Sequence, residues 1–397
     1  METPPARSDH TVVLCGGVLF VWGGCQYVDG DEVVLPSDEI WLYDMESGLW
    51  ARKGMGGEVP PLLSQTCASF LQGTLYVFGG CDNSGHTNQL YGVDLQHVKY
   101  IWRKITGCAG TPPSPRDRHT SWVYKDRLIY FGGYGCKTVR EVSKFKSFRV
   151  DETSWAMIGS EVFTFWGWNN EVHMFEPSLA TWTEPQTQGQ LPEPRCSHAS
   201  ATLGNKGYIC GGLETDTIDI YCLDLDSWTW SQMESLAARL PMGRSLHTLT
   251  PTSHNTLFLF GGLNTAGKVL SDGWEFDTIT TEWKERQHPH KDKARLWHSA
   301  VQGKDNDVVI FGGSREYVVI MDSVTALRCP SQSHCSDVLV FQMQPYSLSR
   351  LCEDCIGQHS PILQEQASCL PPRIQETLRK RMLYFRTFTK QEKSTSA

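Results

Sequence analysis

Residues 75–80 read LYVFGG, a run of β-branched and aromatic residues that ends in the diglycine Gly79-Gly80. Similar runs end in a diglycine six times along the chain of 397 residues. The six copies are LFVWGG at 19–24, LYVFGG at 75–80, LIYFGG at 128–133, GYICGG at 207–212, LFLFGG at 257–262 and VVIFGG at 308–313. Successive second glycines are 56, 53, 79, 50 and 51 residues apart. An internal repeat with a period near 50 residues therefore organises the chain.

A second strand follows most diglycines and ends in an acidic residue, with a tryptophan six residues later. The four pairs with this spacing are Asp44/Trp50, Glu176/Trp182, Asp224/Trp230 and Asp277/Trp283. The spacing widens to eight in the second repeat, between Asp94 and Trp102, and the sixth repeat lacks the tryptophan. The pattern predicts one four-stranded antiparallel sheet per repeat, with each tryptophan filling the space between neighbouring sheets.

A repeat of this length and pattern resembles the kelch repeat, which implies an all-β fold, a six-bladed kelch β-propeller over residues 5–344. Residues 345–386 change to a helical pattern, and 387–397 are expected to be a disordered tail. We expect the last strand, 336–344, to lie beside a strand of the N-terminal segment and so to close the ring. The diglycines are interpreted as structural, because no helix follows them as it would in a phosphate-binding loop.

Composition excludes several classes of protein. The net charge of −8 and the isoelectric point near 5.9 argue against nucleic-acid binding. No stretch approaches the ~20 apolar residues of a membrane span, and the N-terminus METPPARSDH has no signal-peptide core. We therefore expect a soluble cytoplasmic protein, with the nucleus as a second location. The 14 cysteines are scattered, which is typical of buried thiols in a reducing compartment.

An Arg-x-x-His motif precedes five of the six diglycines, and we interpret it as structural, holding loops through hydrogen bonds. The copies are Arg7/His10, Arg116/His119, Arg195/His198, Arg244/His247 and Arg295/His298. The residues between each arginine and histidine are expected to face a funnel at one end of the propeller. These pairs are Ser8/Asp9, Asp117/Arg118, Cys196/Ser197, Ser245/Leu246 and Leu296/Trp297, with Gln65/Thr66 in the second repeat, which reads SQTC at 64–67.

Two insertions break the period, at 134–170 in the third repeat and 314–335 in the sixth. Aromatic residues predict that the third-repeat insertion forms an ordered wall over the pocket, and they are Phe163, Phe165, Trp166 and Trp168. The histidines recur at equivalent positions without the clustering of metal ligands, and no nucleophile elbow or carboxylate pair is present. We therefore predict no catalytic residue, no metal and no cofactor.

The tail sequence YSLSRLCEDCIGQH, at 346–359, predicts an amphipathic helix. Its apolar residues have the spacing of one helical face and are Leu348, Leu351, Cys352, Cys355 and Ile356. The Cys-x-x-Cys leaves a zinc knuckle or a redox pair open, but zinc needs two more ligands and only Cys369 is near. Packing of the helix is favoured, either on a partner protein or on the chain's own propeller.

The tail also resembles two docking motifs of ubiquitin ligase subunits. SLSRLCEDCI resembles a BC-box, which implies binding to elongin C, and through it elongin B, by Ser347, Leu348, Cys352 and Ile356. Downstream, LPPRI resembles a cullin box, which implies binding to cullin-5 or cullin-2 with its RING subunit by Leu370, Pro371 and Ile374. The two motifs in this order, directly after a propeller, are more specific than either alone.

With WVYKDRLIYFGGYGC at 122–136 and LGNKGYI at 203–209, the chain resembles the kelch-repeat substrate receptors of elongin–cullin RING ubiquitin ligases. This resemblance implies a non-catalytic receptor that binds C-terminal degrons ending in glycine in the funnel and promotes proteasomal degradation. The matching pocket residues are Arg118, where the family has lysine, Tyr134, Trp168 and Ser245. Leu213 and Leu246 stand where the family has arginine and tryptophan, and the fourth repeat, GGLETDTIDIY, is two residues shorter and lacks both family arginines. The alternative is a kelch interaction scaffold outside any ligase.

Overall fold

The repeats fold into six blades arranged in a closed ring. The computed structural model describes residues 2–28, 31–82, 84–142, 147–158, 162–213, 215–235, 237, 239–317, 333–359 and 370–395. Within these ranges the first strands of neighbouring blades contact one another all the way round, including blade 6 with blade 1. The predicted six-bladed β-propeller is confirmed.

Five blades are four-stranded antiparallel sheets and the sixth has three described strands. Blade 1 contains Thr11–Cys15, Val18–Trp22, Glu39–Asp44 and Leu49–Gly57. Blade 2 contains Cys67–Leu71, Thr74–Phe78, Leu90–Asp94 and Tyr100–Ile105. Blade 3 contains Thr120–Tyr124, Arg127–Phe131, Val172–Glu176 and Thr181–Thr183. Blade 4 contains Ala199–Leu203, Lys206–Cys210, Ile220–Asp224 and Thr229–Gln232. Blade 5 contains Thr248–Pro251, Thr256–Phe260, Gly273–Asp277 and Glu282–Arg286. Blade 6 contains Ser299–Gln302, Val308–Phe311 and Val338–Phe341.

The repeat tryptophans pack between blades, as predicted. Four of them contact the aromatic residue that precedes the diglycine of the previous blade. The fifth, Trp283, belongs to the same buried cluster as Cys210, which stands at that position. The centroid distances are 5.2 Å for Trp50 and Phe311, 5.1 Å for Trp102 and Trp22, 5.2 Å for Trp182 and Phe78, and 5.1 Å for Trp230 and Phe131. The hydrophobic core therefore consists of clusters that lie between neighbouring blades.

The diglycines hold neighbouring blades together through the backbone. Gly80 has φ of 99° and donates its N–H to the carbonyl of Arg116 in the next blade at 2.9 Å. A Cβ at Gly80 would lie 2.6 Å from the Thr66 Cγ2 atom. Both the left-handed φ and the close approach require glycine at this position.

The ring closes differently from the sequence expectation. Val338–Phe341 pairs with Val308–Phe311, and in the described ranges no N-terminal strand lies beside it. Closure uses irregular backbone instead: Gly313 N–H donates to the Arg7 carbonyl at 2.8 Å, and Arg7 N–H donates to the Cys335 carbonyl at 3.1 Å. The expected pairing was wrong because Pro4 and Pro5 have no N–H to contribute to a strand.

The third-repeat insertion forms a separate sheet beside the mouth of the propeller, which confirms the expected ordered wall. Its strands, in spatial order, are Arg116–Asp117, Tyr134–Thr138, Val162–Asn169 and Phe148–Ile158, and a short helix spans Val139–Val142. Most of the sixth-repeat insertion, 318–332, lies outside the described residues.

Smaller paired segments complete the connections between strands. They are Cys25–Val28 with Asp31–Val34, Cys81–Asp82 with Gly85–His86, Arg244–Ser245 with Leu263–Asn264, and Gln188–Gly189 parallel to Thr229–Gln232.

Two helices follow the propeller, as predicted. The first tail helix is Leu348–Gln358 and the second is Pro372–Thr395, which extends beyond residue 386. The second helix lies against blade 1, where a Cβ at Gly48 would meet the Tyr384 ring at 2.9 Å. Neither tail helix, nor any other helix of the described ranges, combines the length and the apolar character of a membrane span.

Candidate functional site

Six residues with left-handed backbones surround the mouth of the central channel, and we call them the mouth ring. They have φ between 51° and 59° and are Asp9, Gln65, Arg118, Ser197, Leu246 and Trp297. Backbone N–H groups of the ring donate to the carbonyl of a neighbouring member at 2.9–3.3 Å, as Leu246 does to Ser197 and Ser197 to Arg118. The ring lines a cavity of ≈370 Å³, and each blade contributes one ring residue to its lining.

The structure corrects the pair assigned to the second repeat. Ser64 exchanges backbone hydrogen bonds with Cys81, as Ser8 does with Cys25 in blade 1. Thr66 occupies the position of the repeat histidine, against Gly80. The pair at the mouth is therefore Ser64/Gln65, one residue earlier than predicted.

The repeat arginines are structural, as expected. Each donates from Nη1 to the carbonyl of the first glycine of its own blade at 2.9–3.0 Å, and the five are Arg7, Arg116, Arg195, Arg244 and Arg295. Four of them also form an ion pair with an acidic residue. The pairs are Arg116/Glu171, Arg195/Asp219, Arg244/Asp272 and Arg295/Asp337.

Sequence reasoning missed these acidic partners, although a signal was present. Three of them, Glu171, Asp219 and Asp272, stand five residues before the acid of the acid-to-tryptophan pattern. The second repeat has Gln89 at that position and Leu63 in place of the arginine. The second repeat thus lacks both the arginine and its acidic partner, as expected if the two residues are retained as an ion pair.

The repeat histidines are buried and uncharged. Burial lowers the pKa of His10, His119 and His247 to about 3, and it lowers the pKa of His198 and His298 well below the ordinary value. The nearby arginine of each motif adds to the effect. These rings are uncharged packing groups, and they line the same cavity as the mouth ring.

Arg118 is the one cation among the six residues of the mouth ring. Its Nε donates to Gln65 Oε1 at 2.7 Å, and Asp117 Oδ2 lies 3.9 Å away. Burial acts to lower the pKa of Arg118, but the charges of Asp117 and Asp9 raise it overall. The side chain is 43% exposed, so a permanently charged guanidinium is open to the mouth.

An aromatic wall stands next to Arg118. Tyr134 pairs across strands with both Asp117 and Trp168, and the Tyr134 and Trp168 rings meet edge to face at 5.5 Å. The Tyr134 hydroxyl donates to Asp151 Oδ2 at 2.9 Å, and the Arg149 guanidinium lies 4.5 Å from the Trp168 ring. Burial, together with the Asp151 carboxylate, raises the pKa of Tyr134 to about 12. Arg149 and Asp151, which fix this wall, were not predicted.

The other predicted pocket residues occupy blades 4 and 5. Leu246 belongs to the mouth ring, and Ser245 precedes it in a two-residue strand paired with Leu263. Leu213 directly follows Gly212, whose Cβ position is 2.4 Å from the Cys196 carbonyl. Ser245, Leu246 and Leu213 are all partly exposed. Arg118, Tyr134 and Trp168 thus form one group in blade 3, and the other three lie in blades 4 and 5, where Leu246 is itself a member of the ring.

The first tail helix turns its apolar stripe to solvent. Ser347 is the N-cap and accepts a hydrogen bond from Arg350 N at 3.2 Å. Leu348 is 77% exposed, Leu351 is 50% exposed, and Cys352 is exposed as well. Cys355 shares this exposed stripe and Ile356 is partly buried.

The opposite face of the first tail helix packs on the second. A Cβ at Gly357 would lie 2.9 Å from the Phe385 ring, and Asp354 pairs with Arg381. The helix is therefore held by its polar and small residues, while Leu348 and Leu351 are half or more exposed among the described residues.

The residues predicted to bind a cullin lie at the start of the second tail helix. Pro371 is exposed, Ile374 is 44% exposed, and Leu370 is partly buried. Residues 360–369, with Cys369, lie outside the described part of the chain. Among the described residues, no three His, Cys, Asp or Glu side chains are grouped closely enough to hold a metal ion.

Comparison with known proteins identifies the family. The KLHDC2/KLHL20/DRC7 Kelch-repeats domain matches residues 9–262 and 154–370. Human Kelch domain-containing protein 1 is 45% identical over 384 residues, which cover 96% of this chain and 91% of that protein. The chain belongs to the kelch-repeat family of Kelch domain-containing proteins 1 and 2.

Two further comparisons agree with this membership. Bovine Kelch domain-containing protein 2 is 37% identical over 394 residues, covering 96% of this chain and 92% of that protein. The solved structure entitled "Structure of YjhT" aligns with a TM-score of 0.57 at 14% identity, over 86% of this chain and 96% of that one. At such low identity the structural match supports the propeller fold alone. The predicted membership of this kelch-repeat family is confirmed, and the ligase role that the resemblance implies stays a prediction.

Proposed function

We propose that this chain is the substrate-recognition subunit of an elongin B/C–cullin RING ubiquitin ligase, with cullin-5 or cullin-2, and that it supplies no catalytic residue. The observation that carries the proposal is the outward-facing stripe of Leu348, Leu351 and Cys352. Apolar side chains aligned on one face of a folded helix are stabilised by a partner surface. Leu348 and Cys352 are two of the four residues that resemble a BC-box, and Ser347 and Ile356 are the other two.

The alternative, a scaffold whose tail packs on its own propeller, accounts for only part of the tail. Lys380 Nζ donates to Asp44 Oδ2 at 3.0 Å, so the second tail helix is indeed held on blade 1. That contact does not cover the stripe of the first tail helix. In this proposal the second tail helix attaches the tail to blade 1, and the first tail helix binds elongin C through its apolar stripe.

In this proposal the mouth of the propeller binds the C-termini of substrates that end in glycine. The Arg118 guanidinium and the Ser245 hydroxyl hold the terminal carboxylate, since charge-assisted hydrogen bonds favour an anion there. Tyr134 and Trp168 form a wall that leaves room for residues without side chains. Leu213 and Leu246 contact apolar residues a few positions before the end.

The cullin would bind where the second tail helix begins. Pro371 and Ile374 are exposed together there, on the helix that also supports the elongin-binding stripe. One partner surface formed by elongin and cullin can therefore cover both. The receptor would act in the cytoplasm or the nucleus and promote proteasomal degradation of what it holds.

Affinity purification of the full chain from cells, followed by mass spectrometry, tests the assignment. We expect elongin B, elongin C, one cullin and a RING subunit in amounts comparable to the chain itself. Recovery of the propeller with none of these would refute the ligase role and favour the scaffold.

A further inference from the structure

A groove of ≈900 Å³ lies on blade 2 where it meets blade 3. None of its lining residues belongs to the mouth ring or to the apolar stripe of the first tail helix. Its floor contains Tyr76, Gly92 and Ile105, and its rim contains Val98, Lys99 and Arg103. The groove borders the turn between the third and fourth strands of blade 2. In blade 1 the equivalent turn is the one that contacts the second tail helix, so the groove opens toward that end of the propeller.

At one position that lines the groove, the second repeat lacks a side chain that the other four-stranded blades have. The position two residues before the acid of the third strand is Gly92 in blade 2. In blades 1, 3, 4 and 5 it is Leu42, Met174, Cys222 and Glu275. Gly92 pairs across strands with Tyr76 and Arg103 in the same register. Its φ is not left-handed, and a Cβ there would come no closer than 3.4 Å to another atom. Backbone geometry therefore does not require this glycine.

The longer turn of the second repeat builds the rim. Asp94 and Trp102 are eight residues apart instead of six. Within the extra length Val98 is 98% exposed, and Ile101 after it is 48% exposed. Val98 is thus almost fully exposed and Ile101 half-exposed at the edge of the groove, and exposed apolar residues beside a groove are typical of a binding surface.

The charge of the rim is positive, in a chain whose net charge is −8. Lys99 and Arg103 are exposed, and no carboxylate of the described residues lies within ion-pair distance of either. The carboxylate that lines the groove, Asp94, lies 3.3 Å from His97 Nε2. An occupant that completes the groove would bring its own negative charges.

We propose that this groove docks an extended acidic segment of a partner protein. One large apolar side chain of the segment lies over Gly92, between Tyr76 and Ile105. Acidic residues on either side pair with Lys99 and Arg103. The interaction is independent of the proposed ligase role, because it uses neither the mouth ring nor the tail.

Binding of amidated, fluorescein-labelled octapeptides in which Asp or Glu alternates with Phe, Leu or Ile tests this proposal by fluorescence anisotropy on the full chain. Amidation removes the terminal carboxylate that the mouth is proposed to hold. Gly92→Met restores the side chain that blade 3 carries and should weaken binding by about tenfold or more, because the apolar anchor loses its site. Lys99→Glu with Arg103→Glu should weaken it by a similar factor and reduce its salt dependence.

Lys53→Glu, an exposed charge reversal on the outermost strand of blade 1, is the control and should leave binding unchanged. Thermal melting reports whether each variant folds. No binding of any acidic peptide to the wild-type chain, or equal binding to folded Gly92→Met, would overturn the proposal. Self-association of the wild-type chain that Gly92→Met abolishes in sedimentation would also overturn it, since the occupant would then be a second copy.

Discussion

Arg381 Nε donates to Asp354 Oδ1 at 2.7 Å, and this ion pair joins the second tail helix to the first. The same guanidinium donates from Nη1 to the Glu46 carbonyl of blade 1 at 3.4 Å, and the Arg381 side chain is only 3% exposed. One residue therefore ties the helix with the apolar stripe to the propeller. Because the mouth ring belongs to the same propeller, the contacts of Arg381 also fix the orientation of the apolar stripe relative to the mouth ring.

Replacing this residue should loosen the first tail helix without removing its stripe. In Arg381→Ala, Asp354 loses one of its two arginine partners, since Arg350 Nε still lies 3.3 Å away, and the expected cost is about 1.5–3 kcal/mol. Hydrogen exchange of 348–358 should accelerate, elongin C should still bind, and ubiquitin transfer to a bound substrate should fall. The exposed pair of Arg379 with Glu376 on the same helix provides the control, and Arg379→Ala should change none of the three. Unchanged exchange in Arg381→Ala would show that other contacts hold the helix.

Leu348→Asp should abolish elongin binding. A carboxylate would enter an apolar pocket of the partner at a cost of several kcal/mol. The propeller should melt at the wild-type temperature, because Leu348 is exposed in the free chain. Co-purification with elongin B/C measures the effect. Ser349→Asp adds the same charge one position away from the stripe and should retain the complex, whereas full retention by Leu348→Asp would rule out this docking mode.

Pro371→Ala combined with Ile374→Ala should retain elongin and lose the cullin. Both side chains are exposed at the start of the second helix, so their removal leaves the packing of Leu378 and Met382 intact. Quantitative co-purification of elongin C and cullin from one sample separates the two partners. Arg373→Ala, on the same turn, serves as the control. Joint loss of both partners, or retention of both, contradicts the cullin-box assignment.

Stability should fall as the pH drops below about 6.5, because the five buried repeat histidines have lowered pKa values. In the unfolded chain each binds a proton near pH 6.5, whereas His10, His119 and His247 in the folded chain bind one only near pH 3. The unfolded state therefore binds more protons in this window. Each histidine adds about 1.4 kcal/mol of destabilisation per pH unit.

Urea unfolding at pH 7.5, 6.0 and 5.0 measures this slope. His10→Gln should reduce the slope by one histidine's share, whatever it does to stability at pH 7.5. His97 is 76% exposed on its side chain, so His97→Gln should leave the slope unchanged. A wild-type free energy of unfolding that is flat between pH 7.5 and 5 would contradict the burial of uncharged imidazoles.

The blades could be predicted from the sequence because their pattern is local. The diglycine, the acidic residue and the tryptophan each occupy a fixed place in a repeat. It did not predict the mouth ring's left-handed backbone, since Arg118, Leu246 and Trp297 are residue types without a preference for that conformation. The contact of Arg381 with Glu46 joins positions 335 residues apart, and no periodic pattern records it. The ring closure was mispredicted for a related reason, because two prolines precede Arg7 and the closing hydrogen bonds come from loops.

The mouth should prefer a free chain end. If Arg118 and Ser245 hold a terminal carboxylate, a peptide ending in free Gly-Gly should bind more tightly than its amide by about tenfold, from one charge-assisted hydrogen bond. The margin should be smaller than in relatives that keep arginines at the Leu213 region, because fewer cations share the charge. Apolar residues a few positions before the end should add affinity through Leu213 and Leu246.

Titration of free-acid and amidated peptide libraries against the chain measures this preference. Arg118→Gln keeps a hydrogen-bond donor without the charge and should bring the two forms close together. Arg149→Gln, beside the Trp168 ring but outside the mouth ring, tests whether any nearby cation suffices and should preserve most of the difference. Equal affinity of the wild-type chain for acid and amide would mean that the mouth recognises an internal segment, since the amide lacks the charge and has an NH2 donor in place of one acceptor oxygen.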